Sequence, residues 1–278
     1  MTFELDGPLV LAGAGKMGGA LLSGLIARGL DPALVRVQDP APAPEVAEAM
    51  AHHGIRIQSQ IDNLERPPAV ILVAVKPQVI NTVFAPLARL AGPDTVVLSI
   101  AAGRSLSSFE ALLPAGTAVV RAMPNTPSAI GRGITVCVAN AAVTARQRQL
   151  CGTLLAAVGD VAWIDDEKLM DAVTAVSGSG PAYVFLLAEC LAEAGRAAGL
   201  DQVLANQLAR ATVAGAGELM RQSPALDAAT LRQNVTSPGG TTAAALSVLM
   251  DDQKGLQDLL TRAVGLAIER GQALAKLG

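Results

Sequence analysis

Leu9-Val10-Leu11-Ala12-Gly13-Ala14-Gly15-Lys16-Met17-Gly18 decides the architecture of this chain, because a short aliphatic run leads into GxGxxG and the periodic segment Ala20 to Arg28 follows. In that strand-turn-helix setting Gly13 permits the tight turn, Gly15 lets backbone approach a pyrophosphate, and Gly18 allows the helix to pack closely on the strand. Free N–H groups and the partial positive charge at the helix start then hold phosphates, with Lys16 and Met17 completing the turn. A purely structural glycine turn is the competing reading.

Working outward, aliphatic runs at Leu34 to Gln38, Ala69 to Val75, Thr95 to Ile100 and Ala118 to Arg121 read as further strands. Helical patterns at Lys16 to Arg28, Pro44 to His52, Pro77 to Leu90 and Ser105 to Leu112 separate them. Such alternation predicts an α/β fold, a Rossmann-like and mostly parallel sheet with helices on both faces. A further strand pair is expected at Ile134 to Val138 and Val161 to Ile164, around a helix at Ala145 to Ala157.

After about Asp165 strand signals stop and Ala/Leu-rich helical patterns take over, at Gly180 to Ala198, Asp201 to Arg221, Ala225 to Asn234, Gly240 to Met250 and Asp252 to Lys276. The expected division is therefore a dinucleotide-binding domain at 1–164 and an all-α domain at 165–278. These helices are too apolar to be solvated on every face, so a dimer built through them is the economical expectation.

Composition narrows the partners. The chain of 278 residues is 51% hydrophobic and 16% charged, with one Trp, one Tyr and four Phe, so its core is built from Ala, Val and Leu. A net charge of −3 and the lack of a basic run argue against nucleic acid. Unbroken apolar runs such as Val70 to Val75 are far shorter than the roughly 20 residues of a membrane span. The N-terminal Met1 to Asp6 carries acid where a secretory signal carries base, so a cytoplasmic location is expected. Cys137, Cys151 and Cys190 are odd in number and scattered among aliphatic residues, which suits buried free thiols rather than a disulfide framework or a metal site.

Further candidates lie at the ends of the strands. Asp39 follows the second strand about 20 residues after Gly18, where a carboxylate accepts hydrogen bonds from the adenosine ribose; a turn-initiating Asp before Pro40 is the alternative. Ala74-Val75-Lys76-Pro77 lies beyond the carboxyl edge of the sheet, where open α/β folds bind ligands, and Lys76 can reach cofactor or a substrate carboxylate. Ala101-Ala102-Gly103 offers close approach to the nicotinamide half. The proline-stiffened loop at Arg121 to Pro127, with Asn125 at its centre, either roofs the nicotinamide or connects two domains.

Two uncharged motifs remain, Ser177-Gly178-Ser179-Gly180-Pro181-Ala182-Tyr183 and Val235-Thr236-Ser237-Pro238-Gly239-Gly240-Thr241-Thr242. Each precedes a helical pattern, where hydroxyls and glycine N–H groups cap the helix or bind an anion. Gly-Gly followed by two threonines exceeds what a cap requires and suits a carboxylate.

Taken together, Gly13 to Gly18, Ala74 to Gln78, Met123 to Pro127, Asp171 to Thr174 running into Ser177 to Tyr183, and above all Val235 to Thr242 closely resemble pyrroline-5-carboxylate reductase over nearly the whole chain. The resemblance implies reduction of 1-pyrroline-5-carboxylate to L-proline by NADPH or NADH. It implies that Ser237, Gly240, Thr241 and Thr242 hold the substrate carboxylate and ring nitrogen, with Thr174 and Lys76 near the reacting centre. It also implies a substrate site at a helical homodimer interface, often within a larger ring. Asn63 is similar to the family's adenosine-side asparagine, at a shortened spacing from Lys76. Where many members carry an arginine beside the residue matching Asp39, this chain has Pro40, and the glutamine that often precedes the threonine matching Thr212 is Ala211.

The mechanism this implies needs little acid chemistry. Hydride passes to the imine carbon and one proton reaches the nitrogen, so orientation dominates and Thr242 hydrogen-bonds the ring nitrogen. His52 and His53 are read as surface residues. A β-hydroxyacid dehydrogenase would use a lysine in the helical domain, but Lys168, Lys254 and Lys276 sit in no Gly/Ser pocket motif. A dinucleotide-binding redox sensor would leave Ser237 to Thr242 without a purpose.

Overall fold

The architecture follows from alternating aliphatic strands that must be covered on both faces. The computed structural model describes residues 3–275, apart from the side chains of Pro77, Asn81 and Ala275. Strands β1 Leu9–Ala12, β2 Val35–Gln38, β3 Ile57–Gln58, β4 Val70–Val73, β5 Val96–Ser99, β6 Ala118–Met123, β7 Gly133–Ala139 and β8 Gly159–Trp163 form one sheet in the order β3-β2-β1-β4-β5-β6-β7-β8. All neighbours run parallel except β6 and β7. The strand order reverses between β1 and β4, in register from Leu9↔Val70 to Ala12↔Val73, and a crevice at such a switch point is where these sheets bind ligands.

Helices α1 Lys16–Ala27, α2 Pro44–His52, α3 Ile80–Ala88, α4 Leu106–Glu110 and α5 Ala145–Leu155 cover the sheet. Successive strand residues point to opposite faces. Leu9 and Leu11 pack with Leu21, Leu22 and Leu25 of α1 and with Cys151, Leu154 and Leu155 of α5. Val10 and Val73 pack on the other side with Ile80, Phe84 and Leu87 of α3 and Phe109 of α4. Phe84 and Phe109 meet edge to face at 5.5 Å between centroids, and the Arg148 guanidinium lies 4.1 Å over the Trp163 ring.

The α/β, mostly parallel fold expected from the alternation is the fold observed. One strand escaped the reading: β3 is two residues long and pairs only with β2, too short for an alternating pattern.

Beyond β8 the chain is helical: α6 Met170–Val173, a π-turn at Thr174–Gly178, α7 Gly180–Ala197, α8 Gln202–Gln222, α9 Ala228–Asn234, α10 Thr241–Leu249 and α11 Leu256–Ala275. Side chains set several starts later than the periodicity suggested. Asp227 caps α9 through the Thr230 N–H at 2.7 Å. Asp251 accepts the N–H groups of Gln253 and Lys254 at 2.9 and 2.8 Å, which holds a turn before α11. The expected end of that last helix, Lys276, lies outside the described residues. The chain divides into two compact units, one running to Gly178 and resuming at Ile268, the other Ser179–Ala267.

One expectation requires correction. Cys190 is exposed on α7, unlike Cys137 and Cys151. Burial pushes the Cys137 thiol up to about 12 and Cys151 higher still, so both are protonated at neutral pH. The helical stretch Glu167–Ala197 is apolar enough to cross a membrane by length and composition alone, a test that helices of soluble proteins also pass. Unbroken apolar runs hid it, because a helical window tolerates isolated charges. Only 6% of its most apolar window is buried within a single chain, which leaves a large apolar surface to cover.

Candidate active site

The glycine turn is built by close approach. Gly13 has φ +92, a left-handed conformation that favours glycine. Its N–H donates to the Gln38 carbonyl at 2.8 Å. A methyl on Gly13 would stand 2.7 Å from Val75 Cγ1, and one on Gly18 would strike the Gly13 carbonyl oxygen and come 2.9 Å from Ala74 Cβ. These two glycines let α1 sit against the ends of β1 and β4. Gly15 differs: nothing lies within 4 Å of where its Cβ would be. Helix α1 begins there with no side-chain cap and no acid in its first turn, so its first N–H groups are left for an anion. Lys16 is exposed beside them and Met17 is half-buried. These features fit the pyrophosphate of a dinucleotide.

Asp39 is fixed at the end of β2. Its Oδ2 accepts the Ala14 N–H at 2.7 Å and its Oδ1 the Ala41 N–H at 2.9 Å, so the carboxylate latches the glycine turn while starting its own. The two competing readings of Asp39 are therefore compatible, because each oxygen keeps a lone pair for a ribose hydroxyl. Beneath it is a residue that sequence reasoning missed. Gln38 is buried, accepts the Ile61 N–H at 2.8 Å and donates to the Val83 carbonyl at 2.9 Å, tying the loop before β4 to α3. The only signal was an amide closing an aliphatic strand. Asn63 lies exposed in that loop.

Other strand ends complete the edge. The Ala74 N–H donates to the Ala12 carbonyl at 2.8 Å, Val75 is buried and Lys76 is exposed just beyond it; the Pro77 side chain lies outside the described residues. After β5, the buried Ser99 hydroxyl accepts the Ala101 N–H at 3.2 Å, which leaves Ala102 and left-handed Gly103 exposed. Asn125 accepts the Ile134 N–H at 3.0 Å, so its side-chain oxygen anchors the loop after β6 to β7.

The first small-residue motif departs in part from expectation. Helix α7 starts at Gly180 as expected, but Ser179 has helical backbone angles and the residues before it already form a π-turn, so this start is continuous with helical backbone. Such a π-turn is a feature that often marks functional positions. Thr174 and Ser177 hydroxyls donate to the carbonyls of Met170 and Val173 at 2.8 and 2.9 Å. A methyl on Gly178 would meet Met123 Cε at 2.7 Å, so this turn packs against the end of β6. Because β6 runs parallel to β5 and β4, Thr174 stands on the same sheet edge as Lys76 and the glycine turn.

A second missed residue holds that arrangement. Glu167 Oε1 accepts both Arg121 Nη1 and the Leu106 N–H at 2.8 Å, joining β6, α4 and the segment that leads to Thr174. Arg121 is 12% exposed and Glu167 28%. Among the four charged residues Asp165 to Lys168, nothing in the sequence distinguishes Glu167. Glu167→Ala strands a mostly buried guanidinium and a backbone donor, and is expected to cost about 2 kcal/mol. Urea unfolding checks this; an unchanged midpoint would show that the pair contributes nothing.

The second motif lies in the other unit. Left-handed Gly239 and a Gly240 N–H bond to the Ser237 carbonyl at 3.0 Å turn the chain into α10. Asp201 and Asp227 cap α8 and α9, whereas α10 starts at extended Gly240 with no side-chain cap and no acid in its first turn. The hydroxyls here do not serve as the cap. Ser237 and Thr241 are exposed and Thr242 is half-buried, which sets three hydroxyls beside uncapped N–H groups. Such a set can receive a carboxylate.

Comparison with known proteins agrees with these two halves. A family described as pyrroline-5-carboxylate reductase dimerisation matches residues 167–274, and one described as NADP oxidoreductase, coenzyme F420-dependent, matches residues 9–103. The chain is 39% identical to a pyrroline-5-carboxylate reductase of Pseudomonas aeruginosa, over 96% of this chain and 97% of that protein. It is 39% identical to one of Mycobacterium tuberculosis, over 96% of each. A solved pyrroline-5-carboxylate reductase from Coxiella burnetii superposes with TM-score 0.88 at 33% identity, covering 96% of this chain and 98% of that one. The Plasmodium falciparum pyrroline carboxylate reductase, solved with NADP bound, gives 0.79 at 28% identity, covering 97% and 98%.

Proposed function

Because the chain belongs to the pyrroline-5-carboxylate reductase family, we propose that it reduces 1-pyrroline-5-carboxylate to L-proline, the closing step of proline biosynthesis, with NADPH or NADH. The observation that carries the substrate assignment is the uncapped start of α10, where Ser237, Thr241 and Thr242 stand beside free N–H groups. A dinucleotide, when bound, supplies the hydride.

The glycine turn and the start of α1 hold the pyrophosphate: Gly13 and Gly18 shape the turn, Gly15 clears the approach, and Lys16 and Met17 flank it. Asp39 accepts from the adenosine ribose, with Asn63 on the adenosine side. Ala74, Val75, Lys76 and Pro77, together with Ala101, Ala102, Gly103 and Asn125, line the nicotinamide half. Ser237, Gly240 and Thr241 hold the substrate carboxylate. Thr242 hydrogen-bonds the ring nitrogen, with Thr174 and Lys76 near the reacting centre. None of the substrate-holding residues is titratable near neutral pH, which suits a reaction on an already electrophilic protonated imine. Alignment of the two reactants then supplies most of the rate, up to roughly 7–11 kcal/mol.

The working division is a cofactor domain at 1–164 and a substrate and dimerisation domain at 165–278, in a cytoplasmic enzyme. Exposed Phe185, Val203, Val248 and Leu266, on four different helices, support a homodimer whose partner covers them, with a ring of such dimers as a larger form. The test is one preparation, followed by loss of reduced-nicotinamide absorbance on adding pyrroline-5-carboxylate and by light scattering for mass. Oxidation that does not depend on the imine would overturn the activity, and the mass of a single chain would overturn the dimer.

A further inference from the structure

The loop that follows β2 reads Asp39-Pro40-Ala41-Pro42-Ala43-Pro44, and it is short of hydrogen-bond donors. Pro40, Pro42 and Pro44 have no N–H. The Ala41 N–H is already given to Asp39 Oδ1 at 2.9 Å. From Asp39 to Ala51 no side chain can donate a hydrogen bond, apart from a carboxyl that has been protonated. The first turn of α2 adds a second negative charge, Glu45.

Asp39 itself is not free to turn away. Its Oδ2 holds the Ala14 N–H at 2.7 Å, so rotating the carboxylate out of the pocket undoes the latch on the glycine turn. The cations of this region stand elsewhere. Arg36 Nη1 donates to the carbonyls of Ala33 and Val35 at 2.8 and 2.9 Å, at the amino end of β2. Arg56 immediately precedes β3, again on the amino edge, and His52 is in the last turn of α2. Lys16, Lys76 and Arg104 follow β1, β4 and β5, not β2.

We infer that this enzyme is specific for NADH over NADPH, with Asp39 and the proline-alternating loop 39–44 as the determinant. The inference rests on the reading of Gly13 to Gly18 as the pyrophosphate turn, which places the adenosine ribose at the end of β2. A ribose carrying two hydroxyls finds a carboxylate with a spare lone pair on each oxygen. A ribose carrying a 2′-phosphate brings close to two negative charges beside a fixed third one, and finds no cation or side-chain donor on the loop after β2 to meet them. Selection works by exclusion as much as by attraction.

Calorimetric titration of the cofactor-free protein with NADH and with NADPH, in the absence of any imine, tests this without relying on turnover. NADH is expected to bind at least about tenfold more tightly, a gap of one charge-pair interaction. ADP-ribose and its 2′-phosphate, titrated in the same way, are expected to show the same ratio, which confines the effect to the adenosine half. Equal affinities, or tighter NADPH, would overturn the inference and leave the dinucleotide reading intact. If neither nucleotide binds, the pyrophosphate reading falls and takes this inference with it. Pro40→Arg preserves the Asp39 latch and adds a five-donor cation, so it is expected to raise NADPH affinity severalfold or more while leaving NADH within about twofold. NADPH affinity unmoved by Pro40→Arg in a folded protein would contradict the shortage of donors as the cause.

Discussion

Thr242→Ala is expected to lower turnover of pyrroline-5-carboxylate on the order of 10²-fold while leaving the affinity for the reduced dinucleotide nearly unchanged. Thr242 is half-buried in the first turn of α10, two residues past Gly240, and no side chain caps that turn. The chemistry asks for little else. Hydride addition consumes the positive charge of the imine, so a strong acid near the nitrogen gains nothing, whereas a hydroxyl that fixes the ring relative to the hydride donor gains a great deal. Loss of that hydroxyl leaves the carboxylate contacts of Ser237 and Thr241 in place, so kcat falls further than KM rises. Thr242→Ser keeps the oxygen and is expected to recover most of the rate. Steady-state kinetics of the three proteins, with dinucleotide binding measured separately, decide the matter. Unchanged turnover in Thr242→Ala would remove Thr242 from the mechanism, and a failure of serine to rescue would make its role one of packing.

Legibility in the sequence followed the range of the interactions involved. Strands β1, β2, β4 and β5 announce themselves because a strand buried on both faces must be apolar at every position, and such runs survive in a linear reading. Strand β3 does not, since its two residues are held by pairing with Val37 and Gln38 rather than by any pattern of their own. The glycine turn was legible because each glycine answers a local constraint. Gln38 and Glu167 were not, because their worth lies in partners at least 23 residues away, Ile61 and Val83 for one and Leu106 and Arg121 for the other. An amide at a strand end or an acid in an acidic cluster looks solvated until those partners are placed.

The motif at Ser177 to Tyr183 was legible only in part, for a related reason. Small polar residues before a helical pattern read as a helix start, and α7 does start at Gly180, but Ser177 and Gly178 close a π-turn in helical backbone that began earlier. Of the hydroxyls that suggested an anion site, that of Ser177 bonds back to Val173, as the hydroxyl of Thr174 before it does to Met170. Thr174 remains a candidate because the turn sets it on the carboxyl edge of the sheet. The start of α10, by contrast, is uncapped as an anion site requires.

The glycines of the dinucleotide turn yield a paired prediction whose two arms separate folding from binding. A methyl on Gly18 meets the Gly13 carbonyl and Ala74 Cβ, so either α1 or the end of β4 has to move. Overpacking of this kind costs typically 1–3 kcal/mol, more than the roughly 1 kcal/mol that alanine gains over glycine within a helix. Gly18→Ala is therefore expected to destabilise by about 1–2 kcal/mol, to lower Tm by several degrees, and to lose dinucleotide binding together with stability. Gly15→Ala is the opposite case. Gly15 has φ −72 and ψ −172, which any residue adopts, and open space where a Cβ would stand. Tm is expected to hold within about 1 °C, since alanine there strains nothing and reduces the freedom of the unfolded chain. That same methyl projects into the approach to the uncapped start of α1, and dinucleotide affinity is expected to fall at least about tenfold. Thermal melts and calorimetric titration of both variants measure the two quantities independently. Unimpaired dinucleotide binding by Gly15→Ala would mean that the pyrophosphate does not lie on this turn, and the functional reading of Gly13 to Gly18 would fall with it.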